Sequence, residues 1–344
     1  MQTYPIVSVV ILNWNGKHYL EKFLPSVLAS TYPNLEIVVA DNGSTDNSID
    51  FVSKTFPQVR IVKNIENLGF AGGYNAVLST IKSDYFILLN SDVEVTPNWI
   101  NPVIELMESD HLIAAAQPKL KDWNNKSKFE YAGAAGGFLD QFGYPFCRGR
   151  IFDTLEADTS QYDTVSEIFW ASGAALFIKR TCWEKVSGLD ADFFAHMEEI
   201  DLCWRLKNLG YKIMYCPTST VYHVGGGTLQ SENPYKTYLN FRNNLFMLLK
   251  NLNGNRVVFI LFIRFWLDLI SLLKFLAEGK SKHVRAINNA HVDFFRGLDR
   301  MKRKRIVTVN INDAGLFRGC IVWEYFVKGR KYFGEIIEDF KTLG

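Results

Sequence analysis

No two cysteines in this chain stand as C-x-x-C. The five present, Cys147, Cys182, Cys203, Cys216 and Cys320, are scattered and odd in number. A disulfide framework is therefore not expected, and buried thiols in a reducing cytosol are. No G-x-x-x-x-G-K-[ST] occurs, so there is no P-loop. The turn after the first apolar run, "NWNGKHYL", has one glycine and no G-x-G-x-x-G, which speaks against a dinucleotide cofactor. A G-x-S-x-G elbow and an H-E-x-x-H pair are also missing. The opening "MQTYPIVSVVILNWNG" has no basic leader before its short apolar stretch, so a first core strand is expected there and not a signal peptide. Net charge is only +2, and no nucleic-acid partner is expected.

What is present is an ordinary globular composition, 48% hydrophobic and 22% charged over 344 residues. Aromatics reach 14%, enough for a rich core, for flat ligand platforms or for a membrane-facing patch. The small net charge hides an asymmetry. Residues 1–239 hold 19 Lys and Arg against 27 Asp and Glu, while residues 240–344 hold 19 against 9. An acidic front and a basic tail suggest two jobs, the tail meeting something anionic.

The first hundred residues alternate strand and helix. "IVSVVIL", "LEIVVA", "VRIVKN" and "YFILLN" read as strands. "KHYLEKFLPSVLAS" has helical spacing, and a helix is predicted over residues 74–81. Near-continuous apolar strands separated by helices indicate a mostly parallel sheet covered on both faces. Ligands of such sheets sit at the carboxyl ends of the strands. Polar clusters fall there, at residues 13–16, 41–46, 67–73 and 90–92. Residues 120–170 show no clear period. "ASGAALFIKR" then reads as a strand, and "FFAHMEEIDLCWRLKNLG" as a loop entering a helix that Gly210 ends.

From about residue 240 the character changes. "VVFILFIRFWLDLISLLKFL", residues 257–276, is nearly long enough to span a bilayer. Arg264, Asp268 and Lys274 interrupt it, each costing roughly 2.5–3.5 kcal/mol at a helix centre. An amphipathic helix in the membrane interface fits better, with "RMKRKR", residues 300–305, meeting anionic lipid. A buried helix packed on the rest of the protein is the alternative. Two regions are expected: a catalytic domain over 1–239 and a basic helical extension over 240–344.

Several side chains could carry chemistry. Asp41 follows a strand directly and can accept from a base N–H or a ribose hydroxyl, or else cap the next helix. Asn67, Gly69, Gly72, Gly73 and Asn75 form a flexible helix entry, either a phosphate cradle or a tight loop. Asn90, Ser91 and Asp92 end the most apolar strand; they are turn formers, or Asp92 holds a cation against a ligand. Glu198 and Glu199 sit near a helix start, whose dipole favours ionised carboxylates; an ionised carboxylate is a general base or a solvated first turn. His223, before Gly225, Gly226 and Gly227, is structural or completes a divalent cation's shell.

In this order the segments "VVILNWNG", "VVADNGSTDNS", "NLGFAGGYN", "LLNSDVEV", "ASGAALFIKR", "HMEEIDLCWRLKNLG" and "VYHVGGGTL" resemble the family 2 glycosyltransferases with the GT-A fold, rhamnosyltransferase-like members above all. The resemblance implies that Asp41 reads the nucleotide base, with Asn13 and Asn15 lining the same pocket. It makes Asn67, Gly69, Gly73, Asn75, Asn90 and Ser91 donor contacts. It makes Asp92 and His223 ligands of a divalent metal, Mg²⁺ or Mn²⁺, on the donor diphosphate. Glu199 becomes the catalytic base beside Glu198, and Trp170 and Gly173 shape the acceptor side. Two departures stand out: Asn90 replaces the first carboxylate of the D-x-D motif, and Glu198-Glu199 replaces the Glu-Asp pair. The Q-x-x-R-W of processive synthases is missing.

The function so implied is single addition by inversion. The donor is a nucleotide-diphosphate sugar, deoxythymidine-diphosphate rhamnose first. The acceptor is a lipid-linked glycan, and the place is the inner face of the plasma membrane, the enzyme being cytoplasmic and peripheral. A catalytically degenerate binding protein for nucleotide-sugar or glycan is the alternative, motivated by Asn90. A sugar nucleotidylyltransferase ranks lower, since no early Gly-rich, Arg-containing loop is present.

Overall fold

The computed structural model describes residues 4–225, 232–252, 254, 256–306 and 313–336. Strand and helix alternate through the first third: β1 (Val7–Asn13), α1 (Lys17–Leu28), β2 (Leu35–Asn42), α2 (Ser48–Thr55), β3 (Arg60–Asn64), α3 (Gly69–Leu78), β4 (Tyr85–Asn90), β5 (Val93–Val95), α4 (Asn101–Ser109) and β6 (Ile113–Asp122). Four short strands follow, β7 (Gly137–Asp140), β8 (Pro145–Cys147), β9 (Arg150–Ile151) and β10 (Thr154–Leu155). Then come β11 (Ser166–Ile168), β12 (Ala175–Lys179), α5 (Arg180–Lys185), α6 (Glu198–Asn208) and β13 (Lys212–His223). The C-terminal part holds α7 (Pro234–Asn251), α8 (Arg256–Ala277), α9 (Ser281–Arg303), β14 (Leu316–Phe317) and α10 (Ile321–Phe326).

The main sheet runs β11-β13-β6-β12-β4-β1-β2-β3, with β5 paired to β13. Its β3-β2-β1-β4 portion is parallel, as the apolar runs predict. The sheet as a whole is mixed, because β12 inserts antiparallel between β4 and β6. Side chains alternate between faces at period two. Val10, Val38 and Ala40 therefore join one hydrophobic cluster, while Val9, Ile11 and Val39 join the other. Register aligns Asn13 with Asp41, Leu12 with Asn90 and Asn42 with Asn64. The polar strand ends thus share one edge. β6 and β13 run in the same sense as β4, so His223 ends at that edge too.

Two expectations change. The helix predicted over 74–81 begins at Gly69, so Gly69, Gly72 and Gly73 lie within its first turns. The expected division at 239/240 falls inside α7, and Leu245, Phe246 and Met247 of α7, Ile260 of α8 and Phe294 of α9 join the same core cluster as Val10 and Val38. The helical extension is packed onto the sheet's own core. The run at 257–276 is helix α8; of its charges Arg264 and Asp268 point inward, while Lys274 is exposed. Arg264 and Asp268 are buried and paired at 3.1 Å, Arg264 donates to the Phe142 carbonyl, and His291 of α9 lies 3.1 Å from Asp268. Among the described residues no helix is long and apolar enough to cross a membrane.

Candidate active site

At the ends of β1 and β2, side chains organise the loop over residues 43–46. Asn13 Nδ2 donates to Ser44 Oγ and Ser48 Oγ, at 3.2 and 3.0 Å. Its Oδ1 is buried with no partner among the described residues. Asn15, at φ 52°, accepts from the Thr45 and Asp46 amides at 2.7 and 3.2 Å. The carboxylate at the start of α2 is Asp46, which accepts from Ser48 N at 3.1 Å. Asp41 is buried and accepts from Ser44 N at 3.3 Å. Asp41 therefore does not cap α2, whose first amide, Ser48 N, is taken by Asp46.

The entry to α3 is a closed junction and not an open phosphate cradle. Its first amides already have acceptors: Gly69 N donates to Asn67 Oδ1 at 2.9 Å, and Phe70 N and Ala71 N donate to the Phe194 carbonyl at 2.7 and 3.2 Å. An N-terminus whose donors are satisfied has little to offer an anion. Gly69, at φ 72°, has no room for a Cβ, which would lie 2.5 Å from Phe194. At Gly73 a Cβ would press on Leu12 and Asn42. Asn75 exchanges two bonds with the Leu189 backbone, at 2.6 and 3.0 Å. Gly69 and Asn75 therefore join α3 to the loop before α6, while Asn67 and Gly73 face Asn42 at the end of β2. Asn42, which sequence reading passed over, is the hub here: it donates to Asn67 Oδ1 and the Gly69 carbonyl and accepts from Asn64 and the Leu68 amide.

Asn90, Asp92 and His223 converge at the sheet edge. His223 Nε2 lies 3.2 Å from Asp92 Oδ1 and 3.3 Å from Asn90 Nδ2. Its Nδ1 lies 3.1 Å from Glu130 Oε1. Burial opposes a charge on the ring, but Glu130 and Asp92 outweigh it and push His223 up to about 10. Burial likewise raises Asp92, yet His223 and backbone donors hold its carboxyl below the usual range. Ser91 Oγ stands beside Gly16. Glu130 is the missed member. It comes from the stretch without period, and only the fold brings it to His223. Glu130 on Nδ1 is the outer carboxylate that metal-ligating histidines carry, and a cation between Nε2 and Asp92 would displace the ring's other proton. The pair Asp92–His223 thus fits a divalent cation as a partial shell, the remaining positions falling to ligand oxygens. Among the described residues no group of three His, Cys, Asp or Glu is set to hold a metal alone. Gly226 and Gly227 of the expected turn lie outside the described residues.

Glu198 and Glu199 open α6 after a strained loop. Phe194, His196 and Met197 all have positive φ, between 64° and 72°, a conformation that costs of order 1–3 kcal/mol per residue and needs support. The support comes from α7: Asn243 Nδ2 reaches the carbonyls of Phe193, Ala195 and His196 within 2.9 Å, and Arg242 donates to those of Asp192 and Phe193. Neither residue carries a sequence signal. The expected dipole stabilisation of both carboxylates does not prevail. Burial pushes Glu199 up to about 7 and Glu198, also repelled by Glu199, well above its ordinary range. One oxygen of each has no partner among the described residues. The loop over residues 172–174 ties this pair to the metal-fitting edge. Ala174 O accepts from Asn90 N at 3.0 Å, and a Cβ on Gly173 would lie 3.9 Å from Glu199 Cβ. Trp170 does not face an open acceptor side. It is buried, packs on Gly137 and donates to the Phe138 carbonyl at 2.9 Å.

The mixed central sheet, with Asp41, Asp92 and His223 at one edge and helices on its faces, has the GT-A fold. Two solved structures share the fold. GalNAc-T7 with UDP, GalNAc and Mn²⁺ matches at TM-score 0.55 and 17% identity, over 72% of this chain and 48% of its own. The mannosyltransferase PcManGT from Pyrobaculum calidifontis, in complex with GDP-Man and Mn²⁺, matches at TM-score 0.53 and 15% identity, over 88% and 84%. Residues 8–162 match the family model described as Glycosyl transferase family 2. N-acetylglucosaminyl-diphospho-decaprenol L-rhamnosyltransferase of Mycobacterium tuberculosis is 25% identical over 232 residues, 63% of this chain and 76% of that protein. Residues 8–162 thus carry the family 2 glycosyltransferase match, and over a longer stretch the chain is similar to a rhamnosyltransferase.

Proposed function

We propose that this glycosyltransferase moves one sugar, with inversion, from a nucleotide-diphosphate sugar to a lipid-linked glycan at a membrane surface. Deoxythymidine-diphosphate rhamnose is the first donor to try, given the mycobacterial relative. The observation that carries the reading is the loop at 172–174, which touches Asn90 on one side and packs against Glu199 on the other. Glu199, with a carboxyl near neutrality, takes the proton of the acceptor hydroxyl. That oxygen forms its bond to the anomeric carbon as the bond to the diphosphate breaks on the opposite face. Asp41 and Asn13 hold the base, and the Asn90 amide holds a sugar hydroxyl or a water. A divalent cation held by Asp92 and His223 would neutralise charge on the leaving diphosphate.

The membrane part of the reading rests on α8. Val258, Phe259, Phe262, Trp266, Leu269, Ile270, Leu273 and Leu276 are all exposed, and at about 100° per residue they fill one arc of roughly 120°. Its charged Arg264 and Asp268 face the protein instead. A helix that turns its apolar side outward suits a lipid interface. The run at 300–305 contributes less than its charge suggests, since Arg300 and Lys304 pair with Asp192 and Arg305 donates to the Leu249 and Leu252 carbonyls. Binding at the cytoplasmic face would be peripheral.

The test is a panel of nucleotide-sugars offered to the purified protein with Mg²⁺ or Mn²⁺, then with EDTA. One donor is expected to release its nucleoside diphosphate only with metal. Binding without turnover, across donors and acceptors, would select the degenerate binding protein that Asn90 in place of a carboxylate favours.

A further inference from the structure

A cavity of about 540 Å³ lies between the start of α7 and one face of α9. Tyr235 and Tyr238 form one wall, their rings stacked at 5.8 Å and 19°. Lys282, Arg285 and Arg296 line the other, spaced along a single helix face. Arg296 pairs with Asp293, which also accepts from the Tyr238 hydroxyl at 2.8 Å. Lys282 and Arg285 have no carboxylate partner among the described residues. Two cations without a carboxylate among the described residues, facing stacked aromatics, match an anion joined to a sugar ring, the anion on the cations and the ring on the tyrosine face.

The surroundings narrow the class. Toward the catalytic side, Tyr235 meets Phe194 edge-on at 6.3 Å, in the strained loop before Glu198. Toward the other side, exposed Val292 and Phe295 of α9 lead to α8, where Phe295 stacks on Phe265 at 5.5 Å. The cavity is therefore flanked by an apolar outer face and by the loop that precedes the glutamate pair. We propose that it binds the diphosphate of a prenyl-diphosphate-linked acceptor, the prenyl chain running toward α8 and the sugar toward Phe194. This rests on the glycosyltransferase reading above and assigns that reading's acceptor a place.

The test uses the full chain and the K282A/R285A variant, both positions being solvent-exposed. Calorimetric titration with farnesyl diphosphate, farnesol, inorganic pyrophosphate and deoxythymidine diphosphate reads the site. The variant is expected to bind farnesyl diphosphate about tenfold more weakly or worse, with deoxythymidine diphosphate binding and donor hydrolysis unchanged. An unchanged Kd for farnesyl diphosphate overturns the assignment. So does an equal loss for deoxythymidine diphosphate, which would make the cavity a donor site. Wild-type affinity for pyrophosphate equal to that for farnesyl diphosphate also overturns it, as does an equal loss of binding to phosphatidylglycerol vesicles, which would make the cations a lipid-surface patch. If the wild type hydrolyses no donor at all, the transferase reading fails, and the titrations report that separately from the cavity.

Discussion

Replacing Glu199 by Gln separates two consequences of its burial. The Glu199 carboxyl rises from 4.5 to about 7 because its charged form is desolvated. A raised acid binds its proton more tightly in the folded state. The stability this contributes is fully present below the unfolded value, near 4.5, and is lost as pH rises through about 7. At about 1.36 kcal/mol per unit, the full loss is up to about 3 kcal/mol. Urea unfolding of wild type and E199Q at pH 4.5 and pH 8 measures it. E199Q is expected to lose less stability than wild type between those values, by an amount approaching that bound. Burial, and after it the nearby Glu199 charge, raises Glu198 as well, in the same direction. Transfer by wild type should rise with pH to a plateau above about 7, because the base acts deprotonated, and E199Q should lose transfer while still binding donor. Identical pH dependence of stability in both proteins, or a transfer rate flat from acid to alkaline pH, would refute the assignment of Glu199.

Three further outcomes are expected. Asp92→Asn should weaken Mn²⁺ binding by roughly 10- to 100-fold, as loss of a ligand or its close support does, read by electron paramagnetic resonance with donor nucleotide present; unchanged binding would remove Asp92 from the cation. Arg264→Ala should destabilise by about 3–5 kcal/mol, because it removes the guanidinium paired with the buried Asp268; a change below about 1 kcal/mol in urea unfolding would contradict the inward-facing pair. Phe262→Glu with Trp266→Glu should leave stability within about 1 kcal/mol, the two rings being exposed. The same double variant should cut sedimentation with liposomes by about 100-fold or more, from two lost apolar anchors of roughly 1.5–3 kcal/mol each.

Much of the fold was legible because apolar period is a local property. "LEIVVA" and "YFILLN" announce buried strands by themselves, and the polar residues after them mark the edge where Asn13, Asp41, Asn90 and Asp92 gather. The ordered motifs likewise pointed to the family. Partners are a different matter, since a hydrogen bond or an ion pair joins residues far apart in the chain. The α3 amides looked free in sequence, but the carbonyl of Phe194 satisfies two of them. Glu198 and Glu199 looked dipole-stabilised, until the core closed over them and desolvation prevailed. Glu130, Arg242 and Asn243 carry no local pattern, and only folding brings them to His223 and to the loop before α6. Arg264 and Asp268 of α8 read as interruptions of an apolar run; their inward direction, which leaves the apolar arc to solvent, was decided by Phe142, His291 and the packing of α9. Residue order by itself determined the strands, the helices and the chemical types at the sheet edge. The tertiary structure alone decided which of those groups are already satisfied and which remain available, because burial and long-range pairing set the charge and reach of each.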